Sequence, residues 1–68
     1  MNERTQSILD EIARPGSTQA SIAAFYREGI RASLGDHRFV DWPTVNAALL
    51  KRYKPSGLNR IKALAWKS

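Results

Sequence analysis

Past Asp41 the chain has no acidic residue, yet Lys51, Arg52, Lys54, Arg60, Lys62 and Lys67 all fall within its last 27 positions. Ammonium and guanidinium groups with no carboxylate to pair with are suited to neutralising phosphates. The imbalance is confined to one half. Arg4, Arg14, Arg27 and Arg31 offset Glu3, Asp10, Glu11 and Glu28, so the first 34 residues are neutral and the rest carries the whole formal +5. A field this one-sided favours a polyanion, and nucleic acid is the commonest one.

Other chemistry has little to work with. His37 is the only histidine, with Asp36 and Asp41 near it and Ser33 one turn earlier. A Ser-His-Asp arrangement drawn from these would sit on a loop that so small a domain cannot hold to catalytic tolerance. No enzyme activity is expected. One histidine and scattered carboxylates make no metal-ligand set, and the absence of Cys removes disulfides, thiolate sites and thiol catalysis. No cofactor is expected. Asp36 and Asp41 read as turn and cap residues.

The elements that must position these cations fit in one domain, residues 1–68. That length is near the lower limit for folding without a metal, a disulfide or a partner. Leu, Ile, Val and Phe make up 15 of 68 residues, just above the level at which disorder becomes the better description. Two Trp and two Tyr add large buried area and favour a compact fold. No apolar run approaches the ~18 residues that span a bilayer, and the N-terminus lacks a secretory signal pattern. The expected setting is cytoplasmic, without a membrane partner.

The punctuation predicts an all-α bundle of about four short helices. The first covers residues 3–14, burying Ile8, Leu9 and Ile12. Pro15-Gly16 ends it, with Gly16 expected in a left-handed cap. Ser17 or Thr18 then caps a second helix to Leu34, with Ile22, Phe25, Tyr26, Ile30 and Leu34 at helical spacing. Gly35-Asp36 ends that helix, and residues 38–40 are expected as a brief strand. Asp41-Trp42-Pro43 starts a third helix to Lys54 that buries Val45, Ala48, Leu49 and Tyr53. Trp42 is expected as a packing staple. A tight turn, Lys54-Pro55-Ser56-Gly57, leads to a last helix over residues 58–67 that buries Leu58, Ile61, Leu64 and Ala65.

On the last helix Asn59, Arg60, Ala63 and Lys67 fall away from the buried stripe. Two short helices joined by a tight turn, the second of them basic, resemble a helix-turn-helix. That resemblance implies DNA binding, with Asn59 and Arg60 placed to pair with adenine and guanine edges and Ala63 allowing close approach. The pattern departs from the motif in placing Pro55 and Ser56 in the turn, with glycine late. The run Gly57-Leu58-Asn59-Arg60-Ile61-Lys62-Ala63 is similar to the helix-hairpin-helix pattern of glycine, apolar residue, glycine and then alanine, with Asn59 in place of the second glycine. That likeness implies backbone amides at Ser56 and Gly57 offered to one phosphate, without sequence readout.

The expected contacts are therefore Lys51, Lys54, Ser56, Gly57, Asn59, Arg60, Lys62, Ala63 and Lys67, with DNA before RNA as partner. The alternative is a protein-interaction module, an inhibitor or adaptor docking on an acidic partner, with a homodimer open under either reading. Trp66 bears on both. In so short a chain each large ring is needed inside, so Trp66 is expected to pack against the first or second helix. If exposed, it becomes a ring for a base or a partner protein. Arg27 and Arg31 are expected on a solvated face.

Overall fold

The computed structural model describes residues 3–33 and 40–67. Among them the chain forms four helices and no strand: α1 (Glu3–Ala13), α2 (Gln19–Ser33), α3 (Trp42–Arg52) and α4 (Pro55–Trp66). The expected all-α bundle is what the chain builds. The end of the second helix at Leu34-Gly35-Asp36, the expected strand except for Val40, and His37 lie outside the described residues.

Each start has a local cause. Glu3 sits in the first turn of α1, where a carboxylate meets the positive end of the helix dipole. At α2, Thr18 and Ser21 cap each other. The Thr18 amide donates to Ser21 Oγ at 2.8 Å and the Ser21 amide donates to Thr18 Oγ1 at 3.0 Å. At α3, the Asp41 carboxylate accepts from the Thr44 amide at 3.3 Å and from its hydroxyl at 2.7 Å.

Two turns differ from expectation. Gly16 does not take a left-handed φ. Instead Ser17 closes the turn, its amide and hydroxyl both donating to the Arg14 carbonyl, at 3.0 and 2.8 Å. The expected turn over residues 54–57 forms as the first turn of α4, since Pro55, Ser56 and Gly57 already belong to that helix and the Gly57 amide donates to the Lys54 carbonyl. Proline supplies the φ of a first helical turn and lacks only an amide that would go unpaired there. The link is just Tyr53 and Lys54, both extended, at φ −125°, ψ 157° and φ −73°, ψ 167°. Gly57 is needed for close approach, since a Cβ there would lie 2.7 Å from Tyr53 Cβ.

The helices form a ring in which α1 touches α2 and α3, and α4 touches α2 and α3. The largest interface is that of α2 with α4. Ile8, Ile22, Val45, Leu49 and Ile61 are fully enclosed in the core that all four helices share. Trp42 packs as expected, its ring 4.7 Å from that of Tyr26, whose hydroxyl donates to Asn46 Oδ1 at 3.1 Å. Gly29 lets α1 and Trp42 close on α2, as a Cβ would meet Ile8 Cδ1 at 2.9 Å and Trp42 Cη2 at 3.1 Å.

Three expected core residues lie outside. Phe25 is 41% exposed, Leu64 38% and Trp66 69%. On α2 the buried face is Ile22, Ala23, Tyr26, Gly29 and Ser33, which puts Phe25 at the rim of the α1–α2 groove. On α4 it is Leu58, Ile61 and Ala65, a narrower stripe than expected.

Candidate nucleic-acid interface

Nine of the described bases sort into two groups by what they touch, and Arg4, exposed on α1, belongs to neither. Four arginines are engaged within the protein. Arg14 holds Glu11 through two hydrogen bonds of 2.9 Å. Arg31 pairs loosely with Glu28 at 3.8 Å. Arg27, expected on a solvated face, donates from Nε to the Ala65 carbonyl at 3.2 Å and lies near that of Leu64. Arg52 reaches from α3 to the α1–α2 turn, donating to the Ile12 carbonyl, the Ser17 hydroxyl and the Ser17 carbonyl. Arg27 and Arg52 thus satisfy or brace segments at helix ends, where carbonyls lack partners. Nothing in their spacing signals this, since their partners are remote in sequence.

The second group is Lys51, Lys54, Arg60, Lys62 and Lys67. Among the described residues none of the five is in an ion pair. Lys51, Lys54, Arg60 and Lys67 are exposed and Lys62 is half-buried. These are the five bases the sequence singles out.

α4 carries most of this surface. Ser56, Asn59, Arg60, Ala63 and Lys67 are all exposed, opposite the stripe that packs on the core. Arg60, Ala63, Leu64 and Lys67 line a shallow groove of about 640 Å³ against Thr18, Gln19 and Ala20 at the start of α2. Lys51 lies elsewhere, with Arg14 and Arg52 along the α1–α3 groove of about 370 Å³. The cations therefore do not share one cleft: Lys51 belongs to the α1–α3 side, and Arg60 and Lys67 to the α2–α4 side. Lys54 is the N-cap residue of α4, where no side chain caps the helix and no acid occupies the first turn.

The backbone at this end is less open than expected. Pro55 has no amide hydrogen, and the Gly57 amide donates to the Lys54 carbonyl at 2.8 Å. Ser56 is left as the first-turn amide that an anion could take.

No family model, curated protein or solved structure matches this chain. The functional reading therefore rests on the side chains themselves. Among the described residues no group of three or more His, Cys, Asp or Glu is placed to hold a metal ion, and no helix is long and apolar enough to cross a membrane.

Trp66 completes the surface. It is the last residue of α4, and its ring stands out from the protein instead of packing on α1 or α2 as expected. Its position near the polar side of the α4 wheel is the sequence signal for that exposure. The carboxylate nearest in kind to an active-site group, Glu11, is structural. The Arg14 hydrogen bonds, helped by the Ser21 hydroxyl, hold its pKa down to about 2.

Proposed function

We propose that this chain binds nucleic acid, DNA before RNA, and catalyses no reaction. The observation that carries the reading is the sorting of its cations. Arg14, Arg27 and Arg31 of the first half are engaged by carboxylates and carbonyls, with Arg4 the exception, whereas Lys51, Lys54, Arg60, Lys62 and Lys67 have no ion-pair partner among the described residues. Neither α3 nor α4 contains an acid to offset them. Cations without a carboxylate partner bind phosphates by releasing condensed counterions, and α4 with its flanking residues carries four of the five, Lys54, Arg60, Lys62 and Lys67.

In this reading α4 is the helix offered to the nucleic acid, as the second helix of a helix-turn-helix-like pair with α3. Arg60 and Lys67 neutralise phosphates along its outer face, Ala63 between them allows close approach, and Ser56 adds an amide. Gly57 serves the packing of Tyr53. Asn59 and Arg60 are the side chains able to meet base edges. The test replaces each with alanine and compares binding to several DNA sequences. Altered preference supports edge contacts, and an even loss supports phosphate contacts. Unchanged curves for both variants would end the proposal.

The exposure of Trp66 favours one second reading, a protein-interaction module that seats on an acidic partner or on a second copy. A Trp-centred protein interface resists salt, whereas phosphate binding collapses with it. Binding measured at about 50 and 200 mM salt separates the two.

A further inference from the structure

We infer that Trp66 stacks on an unpaired base, so that the preferred partner is single-stranded nucleic acid; this rests on the nucleic-acid reading above. Tyr26 and Trp42 face each other inside the bundle, while Trp66 is 69% exposed at the end of α4. The ring is firmly based. Arg27 holds the carbonyl of Ala65, and the Lys67 amide donates to the Ala63 carbonyl at 3.1 Å, so the last turn of α4 is fixed.

The neighbours of Trp66 select the partner. Lys62 lies one turn before it and Asn59 two turns before, on the same side of the helix, with Lys67 next in sequence. Leu64 stands ~160° around the helix and lines the α2 groove instead. Along α4 the Trp66 ring therefore has Ala63, two lysines and an amide beside it, and no second aromatic residue. A protein anchor of this size normally sits within apolar contacts that exclude water. A ring flanked by ammonium groups instead suits a nucleotide, whose base offers a flat face and whose phosphates lie to either side. A closed duplex keeps its base faces stacked on one another, so only an unpaired base can present one.

The test uses fluorescence anisotropy at low salt with an oligothymidine of about 12 nucleotides and a closed random duplex. The native chain, Trp66→Ala, Trp66→Phe and Arg60→Gln are compared, with circular dichroism confirming that each variant is helical. The expected result is quenching of the Trp66 emission by the oligothymidine, read as the difference between native and Trp66→Ala. Trp66→Ala weakens oligothymidine binding about tenfold, leaves the duplex curve unchanged, and Trp66→Phe retains most of the affinity. If Trp66→Ala binds both as the native chain does while Arg60→Gln weakens both, the stacking inference is overturned and the nucleic-acid reading stands. If neither strand binds the native chain, both fall. A native dimer by sedimentation that Trp66→Ala converts to monomer would assign the ring to a second copy and likewise overturn the inference.

Discussion

Arg27 Nε donates to the carbonyl oxygen of Ala65 at 3.2 Å, joining α2 to the end of α4 across 38 positions of sequence. The contact ties the largest helix interface to the turn that carries Trp66. Arg27→Ala should cost about 1 kcal/mol, the net value of one such hydrogen bond, and loosen the last turn of α4. Urea denaturation gives the first quantity, and hydrogen exchange at residues 63–67 gives the second.

Arg52 and Lys51 are neighbours with opposite employment. Arg52 braces the α1–α2 turn through Ser17 and Ile12, while Lys51 has no ion-pair partner among the described residues. Arg52→Ala should lower stability by about 1–2 kcal/mol, and Arg52→Lys should not restore it, because an ammonium cannot reproduce the guanidinium fork. Lys51→Ala should leave stability within about 0.5 kcal/mol and weaken nucleic-acid binding. Paired denaturation and binding curves read both effects.

Gly57→Ala tests the α3–α4 junction. Alanine is the better helix former by about 1 kcal/mol, but its Cβ would sit 2.7 Å from Tyr53 Cβ. The clash should win, for a net loss of about 1–2 kcal/mol seen as a lower Tm. Gly16→Ala is the control, since its Cβ would meet only Arg14 Nη1, at 3.1 Å, the guanidinium nitrogen not used in the Glu11 pair. That variant should melt close to the native chain.

Glu11 sets the acid limb of stability. Its side chain is 7% exposed, and the Arg14 hydrogen bonds hold its pKa at about 2, below the ordinary 4.5. A carboxylate more acidic in the folded chain than in the unfolded one stabilises the fold above the unfolded value. This contribution should therefore be complete above about pH 5 and decline as pH falls toward about 2. Melting curves across that window should show the decline in the native chain and a flatter profile in Glu11→Gln.

Much of this fold is written in short-range signals. The Thr18 cap, the Asp41-Trp42-Pro43 start and the outward set Asn59, Arg60, Ala63 and Lys67 each depend on a few adjacent residues, and each appears in the structure. Pro55 shows the limit of such reading, because proline marks both a turn and a first helical position, and here the helix begins with it. The exposure of Phe25, Leu64 and Trp66 depends on how α2 crosses α1 and α4, which helical spacing does not encode. The same crossing decides that Arg27 and Arg52 engage carbonyls while, among the described residues, Lys51, Lys54, Arg60, Lys62 and Lys67 do not. Charge alone separates the halves of the chain, and packing alone separates these arginines from the other cations.

The most direct test of the central claim is the salt dependence of binding to random duplex DNA and single-stranded RNA, for the native chain and for Arg60→Gln and Lys67→Gln. The account predicts micromolar binding at about 50 mM salt that falls steeply by about 200 mM, with each substitution reducing the log–log slope by about one unit. Absence of binding at the lower salt, or binding indifferent to salt, would contradict it.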